Sequence, residues 1–399
     1  MLSVTDAEAI IFDLVQPLRE TETVALEDAL GRVLATPVRS GLDFPYWDNS
    51  AMDGYAVRFE DVRSVPVTLE IIEEIPAGVA PQKTLQVGQA ARIFTGAVMP
   101  QGADAVVMQE NTRREGNQVI IQESSASGAF VRHQGAFYQA NTPLLEAGIT
   151  INAPELAVLA TAQCTQLQVY RRPRVAIFST GDELIPPSGV LQPGQIVDSN
   201  QYALAALVWG LGAIPVPLGI IPDCRGELKG AIAQSLKSAD IVLSTGGVSV
   251  GDYDYIEELL AELGGKIHVR SVAVKPGKPL TVAEFPNCLY FGIPGNPVSA
   301  LVSGWRFVLP ALRKLAGLKD WRPELIYVPT KHQLTAGGKR ETYLWGQLNG
   351  IEGEYQFSVA GGSHSSGNLI NLAGTNALAI VPVGVAEIPA GEKVRVLRV

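Results

Sequence analysis

Short apolar segments alternate with helical stretches between residues 173 and 318, and this alternation constrains the fold more than any other feature of the chain. The apolar segments are rich in β-branched residues and fall at residues 175–178, 214–218, 241–243 and 289–291. Helical patterns fall at residues 201–211, 225–238, 255–263 and 298–315. Because strands that are buried on both faces read as continuous apolar runs, this pattern predicts a doubly wound, mostly parallel α/β sheet.

The segments on either side of the α/β region predict different folds. Residues 1–172 open with a helix, for which Thr5 and Glu8 form a candidate capping box, and a short helix is expected near residues 27–34. We therefore predict an N-terminal mixed domain at 1–172, and within it an all-β insertion at about 45–145 that is rich in Val, Ile, Pro and Gly. The insertion should contain a strand at 67–75 and a hairpin turn at 114–117. The α/β domain should span 173–318.

The last part of the chain predicts a separate β domain at residues 323–399. A linker at 317–323 precedes it, and strand and turn patterns follow. Within these strands, Asn349-Gly350 is a candidate hairpin turn, because this dipeptide favours the positive φ angles of a tight hairpin.

Composition excludes several classes of function. The chain has 399 residues, 47% of them hydrophobic and 18% charged, which is enough to build large cores. Its net charge is −9 and it has no block of lysine or arginine, so we expect neither nucleic acid nor a membrane as a partner. The N-terminus carries no signal-peptide pattern, and prolines and glycines interrupt the apolar run at 203–221, which predicts a helix followed by a buried strand.

The metal-binding and redox residues favour a cytoplasmic protein without a zinc site. The three cysteines, Cys164, Cys224 and Cys288, are far apart in the sequence and odd in number. This spacing predicts free thiols in a reducing compartment. The four histidines likewise show no metal-ligand spacing.

Residues 48–55 read Asp-Asn-Ser-Ala-Met-Asp-Gly-Tyr, an order that neither an amphipathic helix nor an alternating strand requires. We expect Asp53 to act as a metal ligand or a proton acceptor, with Asn49 and Ser50 as its hydrogen-bond partners. Alternatively, Asp48 and Asn49 only cap their own backbone in an Asx-turn. In the same insertion, Thr95 offers a hydroxyl beside Gly96 and is a second candidate ligand-binding residue.

Three glycine-containing turns directly follow predicted strands of the α/β domain. They are Ser179-Thr180-Gly181-Asp182-Glu183, Ser244-Thr245-Gly246-Gly247-Val248-Ser249, and Pro294-Gly295-Asn296-Pro297. In a doubly wound sheet, ligands bind outside the carboxyl ends of the strands, and glycines let backbone N–H groups approach an anion. One such turn is commonly a plain connection, but three with polar neighbours predict a site for a phosphate-bearing ligand. The pattern matches neither the dinucleotide fingerprint nor the P-loop.

Charged residues near these turns complete the candidate site. Lys275 and Lys278 flank a proline–glycine turn and are either surface lysines or a clamp for phosphate and other oxyanions. Glu183 and Asp254 lie near strand ends and are candidate Mg²⁺ ligands, although Asp254 is equally suited to capping the following helix. The polar loop at residues 361–367 is either a plain loop or a segment that reaches the site.

Together these motifs resemble the molybdopterin molybdenumtransferase family, which includes the MoeA-type proteins and the E domain of gephyrin. The resemblance covers nearly the whole chain, because the segments at 48–55, 93–96, 102–109, 179–184, 244–251, 275–279 and 294–299 occur in the order and spacing of the family. It implies that the α/β domain binds molybdopterin, that the C-terminal domain is a β-barrel, and that the protein is an elongated homodimer. It also implies active sites between subunits.

The resemblance further implies a reaction and a set of residues. Adenylylated molybdopterin and molybdate would be the substrates, and Mg²⁺-dependent release of AMP would accompany insertion of molybdenum. Asp53, Thr95, Glu183 and Asp254 would be catalytic, and Asp53, Glu183 and Asp254 would hold the metal. The substrate-binding residues would be Ser179, Thr180, Gly181, Asp223, Gly246, Gly247, Ser249, Lys275, Lys278, Pro294, Gly295, Asn296 and Ser363. Partners would be a molybdopterin adenylyltransferase and acceptor molybdoenzymes.

One position departs from the family pattern. The family often has Arg-x-x-Gly-x-Asp after the β insertion, whereas this chain has Phe137 where that aspartate would fall, with Arg132 and Gly135 retained. The departure leaves two alternatives open: a molybdopterin carrier or scaffold without insertion activity, and a transferase for a related oxyanion such as tungstate. An enzyme that shares only the α/β domain, such as the adenylyltransferase, would lack the motif at 48–55.

Overall fold

The computed structural model describes residues 1–247, 255–351 and 353–399, and it divides the chain into two compact units. Met1–Thr36, Ala147–Ala153 and Gln166–Val399 form the first unit. Pro37–Glu146 and Pro154–Thr165 form the second unit. The three-domain limits given above remain a prediction beside this division.

A six-stranded sheet forms the centre of the first unit. The strand order is Ile214–Ile221, Arg174–Thr180, Ile241–Thr245, Cys288–Ile293, Pro279–Phe285 and Lys266–Ser271. The first four strands are parallel to one another and the last two join as antiparallel neighbours. The predicted α/β fold is therefore confirmed. The helices of this unit are Val4–Leu14, Asn200–Gly210, Arg225–Ser238, Ile256–Glu262, Pro297–Ser303 and Leu309–Leu315.

Alternate side chains of each central strand enter different cores, as the two-residue period of a strand requires. In the strand Arg174–Thr180, Val175 and Ile177 pack in a core with the helix Val4–Leu14. Ala176 and Phe178 pack in a second core with residues of the helices Arg225–Ser238 and Ile256–Glu262. The three central strands, Arg174–Thr180, Ile241–Thr245 and Cys288–Ile293, are almost wholly buried. In the first two of them, the buried polar residues lie at the carboxyl ends.

Three predictions about helix limits and caps are wrong. The first helix is capped by Ser3, whose hydroxyl accepts from the backbone N–H of Asp6 at 3.0 Å, and not by a box of Thr5 and Glu8. The short helix expected near residues 27–34 is only the 3₁₀ turn Leu26–Asp28. The long helix expected at 298–315 is divided by a π-helical turn at Gly304–Val308. The apolar run at 203–221 is confirmed as a helix and a strand.

The C-terminal β region lies in the same unit. Its strands are Leu325–Pro329, Leu334–Thr335, Glu341–Ile351, Glu354–Val359, Ala377–Val381, Glu387–Ile388 and Lys393–Arg398. A bridge between Thr330 and Phe357 brings the two sides of the main sheet together, which agrees with the expected barrel. The predicted turn at Asn349-Gly350 is wrong, because both residues pair within the strand Glu341–Ile351, with Gln356 and Tyr355 opposite.

The second unit contains the predicted all-β insertion. The strand order of its main sheet is Ala105–Met108, Gly54–Val57, Gln89–Ile93, Val67–Ile75, Gln118–Ile121 and Thr112–Glu115. The strand at Val67–Ile75 and the hairpin turn after Glu115 are confirmed. Each face of this sheet covers its own apolar core. The helix Ala153–Thr161 also falls almost wholly within this unit.

Short two-stranded ribbons complete the secondary structure. The pairs are Thr21–Ala25 with Gln166–Tyr170, Val38–Arg39 with Pro143–Leu145, Asn49–Ser50 with Val131–Arg132, and Leu184–Ile185 with Ile196–Val197. Among the residues that the structure describes, no helix is long and apolar enough to cross a membrane.

Candidate active site

A cleft of about 890 Å³ opens at the carboxyl ends of three neighbouring parallel strands of the first unit. The three strands end level with one another, because Ser179 pairs with Thr245 and Thr245 pairs with Ile293. The turns that follow these strands line the cleft, together with the lysine turn and part of the C-terminal β region. This is the position at which a doubly wound sheet is expected to bind a ligand.

Most of the predicted substrate-binding residues meet in this cleft. Those that line it are Thr180, Gly181, Asp223, Gly246, Gly247, Lys275, Lys278, Pro294, Gly295 and Asn296. Glu183, predicted as a catalytic and metal-binding residue, lines it as well. Ser179 and Ser363 lie outside the lining, and Asp53 and Thr95 belong to the second unit. Ser249 and Asp254 lie outside the described residues.

Glycines allow the three turns to stack closely. Gly246 has φ +88°, and a Cβ built on it would lie 2.3 Å from the carbonyl oxygen of Thr180. A Cβ built on Gly295 would lie 3.4 Å from the Gly246 Cα, so the second and third turns are also close together. Only a residue without a side chain fits the Gly246 position, so the close approach of the first two turns depends on that glycine.

A buried carboxylate organises the floor of the cleft. Asp198 is 3% exposed and accepts hydrogen bonds from the Ser179 hydroxyl at 2.9 Å and the Asn200 backbone N–H at 3.1 Å. Thr245 donates to the Ser179 hydroxyl at 3.0 Å. Ser179 is fully buried in this chain of bonds, which ties the ends of two strands to the start of the helix Asn200–Gly210.

Carboxylates occupy one side of the cleft. The Asp223 carboxylate accepts a short hydrogen bond from the Thr180 hydroxyl, and its backbone N–H donates to Asp182 at 3.1 Å. Glu183 folds back over Gly181, so that a Cβ on that glycine would lie 2.7 Å from the Glu183 Oε2. Glu183 and Asp223 both line the cleft and leave carboxylate oxygens available to a ligand or a cation.

Cationic side chains also line the cleft. Lys275 and Lys278 flank the turn of Pro276 and Gly277, and Arg340 lies beside them. Arg340 reaches this position because the strand that directly follows it, Glu341–Ile351, pairs with Val274–Lys275, and its Nη1 donates to the Val274 carbonyl at 3.2 Å. The combination of three cations and nearby backbone N–H groups suits a ligand rich in anionic oxygens.

The C-terminal polar loop reaches the cleft, although through different residues than predicted. His364, Ser365 and Ser366 line it, whereas the Ser363 hydroxyl accepts from the Ser365 backbone N–H at 3.3 Å and helps to close the loop. Burial lowers the pKa of His364, and its ring lies 4.7 Å from the ring of Trp345. The imidazole is therefore favoured in its neutral form.

Asp53 forms its hydrogen bonds with Thr95 and not with the predicted partners, Asn49 and Ser50. The backbone N–H and the hydroxyl of Thr95 donate to its Oδ1 at 2.8 and 2.7 Å. These bonds hold the pKa of Asp53 below its ordinary value. Asn49 and Ser50 instead donate to carbonyls of their own loop, those of Trp47 and Met52. The result is an exposed carboxylate that stays ionised.

No cluster of three or more His, Cys, Asp or Glu residues suited to a metal ion occurs within residues 1–247, 255–351 and 353–399. The absence of a zinc site remains a prediction, and this finding does not test a magnesium site. Mg²⁺ commonly uses one or two carboxylates together with substrate phosphates.

Comparison with known proteins identifies the family. Models of the MoeA N-terminal region (domains I and II), of a probable molybdopterin-binding domain, and of the MoeA C-terminal region (domain IV) match residues 2–162, 176–314 and 327–399. A molybdopterin molybdenumtransferase of Nostoc sp. is 59% identical over 100% of this chain and 94% of that protein. The chain belongs to the molybdopterin molybdenumtransferase family.

Other relatives agree with this family. A molybdopterin molybdenumtransferase of Haemophilus influenzae is 34% identical and covers 85% of this chain and 84% of its own length. Among solved structures, a molybdopterin biosynthesis MoeA protein of Pyrococcus horikoshii superposes with a TM-score of 0.87 at 27% identity, over 100% of both chains. The chain is therefore similar to members of this family along its whole length, and its function belongs to molybdenum cofactor biosynthesis.

Several cleft residues were not predicted from the sequence, among them Asp198 and Arg340. Asp198 follows a strand of only two residues, and Arg340 follows a glycine pair in the C-terminal region. Neither residue lies in a sequence motif that points to a binding site. Arg340 enters the cleft because the strand that follows it pairs with Val274–Lys275, about 65 residues earlier, and no local pattern reports such a pairing.

The departure at Phe137 lies in an apolar region of the second unit. Phe137 is 67% exposed, and its ring lies 5.9 Å from that of Phe44 at the edge of an apolar pocket of about 330 Å³. The carboxylate of Asp43 accepts from the Ala140 backbone N–H at 2.8 Å and from the Gln134 side chain at 2.9 Å. This carboxylate is therefore engaged in holding the turn that carries Phe137.

Proposed function

We propose that this chain inserts molybdenum from molybdate into adenylylated molybdopterin, with Mg²⁺-dependent release of AMP. The observation that carries the proposal is the single cleft in which Lys275, Lys278 and Arg340 come together with Glu183 and Asp223 at the ends of parallel strands. Such a cleft can bind phosphate and molybdate oxygens on cations while carboxylates serve a metal or a water. Family membership over the whole chain supports the same reaction.

Each group of cleft residues has a separate task in this proposal. The two lysines and Arg340 bind oxyanions, and backbone N–H groups at Gly181, Gly247 and Gly295 approach the ligand where no side chain intervenes. The Gly246 N–H donates to the Ile293 carbonyl at 3.3 Å, so Gly246 contributes close packing of the turns. Thr180, Asp223, Pro294 and Asn296 shape the remaining wall. Ser179 acts indirectly, because its hydroxyl donates to Asp198 and helps to hold that residue in the cleft. Ser363 also acts indirectly, because its hydroxyl helps to fix the conformation of its loop.

The residues present fit a magnesium ion. Glu183 and Asp223 offer carboxylate oxygens in the cleft, and the phosphates of the substrate would complete the coordination, as is usual for Mg²⁺. We propose Glu183, Asp53 and Asp254 as its ligands. Bound Mg²⁺ would neutralise charge on the phosphate group. In the alternative role, Asp53, ionised through its bonds to Thr95, would orient the attacking water and accept its proton.

We also propose a cytoplasmic homodimer in which Asp53 and Thr95 of one chain serve the cleft of its partner. From Tyr202 to Trp209 the helix Asn200–Gly210 carries only apolar and aromatic residues, yet Tyr202 is 57% exposed and Trp209 is 75% exposed. Because a helix of this composition is normally covered, this stripe suits a subunit interface. Free thiols at Cys164, Cys224 and Cys288 fit a reducing compartment. Adenylyltransferase and molybdoenzyme partners remain part of the proposal.

A single-turnover assay tests the proposed reaction. With adenylylated molybdopterin and Mg²⁺, we expect AMP release only when molybdate is added, and Lys275→Gln should slow it at least about tenfold because one oxyanion contact is lost. Lys237→Gln is the matched control, since it removes the same charge from an exposed position at the end of the helix Arg225–Ser238. Tight binding of the adenylate without AMP release in the wild type would support a carrier instead.

The pH dependence of AMP release tests the role of Thr95. Thr95→Val removes the hydroxyl bond to Asp53 and keeps the backbone bond, so the pKa of Asp53 should rise. The ionised carboxylate is the active form. As the pH is lowered, Thr95→Val should therefore lose AMP release at a higher pH than the wild type does. Thr95→Ser keeps the hydroxyl and should retain the wild-type profile. An unchanged acidic limb in Thr95→Val would separate Asp53 from the chemistry.

A further inference from the structure

Arg306 is a buried cation that joins three parts of the first unit. Its side chain is 2% exposed and lies on the π-helical turn Gly304–Val308. Its two terminal nitrogens donate to the Glu8 carboxylate of the first helix, one of them at 2.7 Å, and its Nε donates to the Tyr343 hydroxyl at 2.7 Å. π-Helical turns are rare and frequently occur at functional sites.

The proton arrangement of this network is fixed by its chemistry. A guanidinium can only donate, so the Tyr343 oxygen accepts from Arg306 and must direct its own hydrogen elsewhere. That hydrogen is donated to Glu341 Oε1 at 2.5 Å. Burial raises the pKa of Tyr343 well above its ordinary value, so the phenol keeps this proton. Tyr343 is thus a neutral link between Arg306 and Glu341.

Tyr343 and Glu341 belong to the strand that brings Arg340 to the cleft. Glu341 pairs with Val274, and Thr342 pairs with Lys275, in a short parallel ladder. The Glu341 backbone N–H donates to the Ala273 carbonyl at 2.9 Å, and the Thr342 hydroxyl donates to the Arg340 carbonyl at 3.1 Å. Whatever holds Glu341 and Tyr343 therefore also holds Arg340 beside Lys275.

The helical segment that carries Arg306 also contacts the lysine turn. Ser303, which directly precedes the π-helical turn, is 1% exposed, and its hydroxyl lies 3.2 Å from the position of a Cβ built on Gly277. Gly277 has φ +112° and separates Lys275 from Lys278 in the cleft wall. One buried helix segment thus reaches both the lysine turn and the strand after Arg340.

We propose that Arg306 and Tyr343 are positioning residues that set the spacing of Arg340 and Lys275 for a tetrahedral oxyanion. The inference rests on the proposed function for the identity of the anion, which is either molybdate or a phosphate of the adenylate. Arg306 does not line the cleft, and Tyr343 lies in the cleft wall but is fully buried. Their effect is exerted through the strand Glu341–Ile351, whose first residues carry the network and lie next to the cleft.

Tyr343→Phe is the decisive variant, because it keeps the buried ring and deletes only the hydroxyl between Arg306 and Glu341. We expect the KM for molybdate or for the adenylate to rise about tenfold while kcat stays within about twofold, since misplaced contacts weaken binding before they change the chemistry. The substrate whose KM rises identifies the anion. Arg306→Lys should restore part of the binding that Arg306→Met loses.

A surface ion pair of the same unit provides the control. Arg398→Met removes the exposed pair with Glu324, which has a 2.8 Å contact, and should leave both KM values unchanged. If Tyr343→Phe lowers the melting temperature and leaves both KM values at the wild-type level, the network is structural only and the proposal is wrong. If the wild type releases no AMP, calorimetric titration with molybdate and with inorganic phosphate still tests the spacing. If the wild type and Tyr343→Phe then bind molybdate equally well, and also bind phosphate equally well, the proposal is wrong.

Discussion

Asp53→Asn should preserve the fold and lower molybdate-dependent AMP release at least about 100-fold. Asparagine has nearly the same shape, and its carbonyl oxygen can still accept both bonds from Thr95. The substitution therefore removes the negative charge alone. If the charge orients water or holds Mg²⁺, single-turnover AMP release will report its loss, and circular dichroism will show an intact protein.

Asp104→Asn is the matched control for Asp53. Asp104 is exposed in the same unit and accepts from a backbone N–H, that of Phe59, at 2.6 Å. It has no proposed role in the reaction, so its variant should keep AMP release within about twofold of the wild type. Equal activity of Asp53→Asn and the wild type would reduce the Asp53 loop to a structural turn.

Gly246→Ala should destabilise the first unit by about 3 kcal/mol or more and abolish binding in the cleft. A positive φ costs a residue with a Cβ on the order of 1–2 kcal/mol, and here the added atom would also lie 2.3 Å from the Thr180 carbonyl. That carbonyl belongs to the neighbouring strand end and cannot rotate away. Urea unfolding and equilibrium binding of the adenylate would measure the two effects.

Gly264→Ala separates backbone strain from the steric clash. Gly264 has φ +84°, close to that of Gly246, but nothing lies within 4 Å of a Cβ built on it. Its variant should lose only the strain energy of about 1 kcal/mol and should bind the adenylate normally. Equal destabilisation by the two substitutions would show that the turns separate easily, and that their close approach does not depend on Gly246.

Local patterns predicted the elements that have strong local causes. The strand Arg174–Thr180 reads as an apolar run because both of its faces are buried, and the helix Arg225–Ser238 was predicted with its observed limits. The errors fall where several local signals compete. Ser3 and Thr5 both precede apolar helical residues, and the structure uses Ser3. Asn349-Gly350 has turn chemistry, but cross-strand pairing extends the strand through it.

The sequence by itself determined the fold class, the glycine turns that end the parallel strands, and the motifs that place the chain in its family. Each of these depends on residue type and near-neighbour spacing, which a sequence displays directly. Only the tertiary structure decided that Thr95 is the partner of Asp53, that Asp198 lies beneath the cleft, and that Arg340 joins the lysines. These contacts join residues that are distant along the chain. They arise from strand register and burial, which depend on the packing of the whole unit.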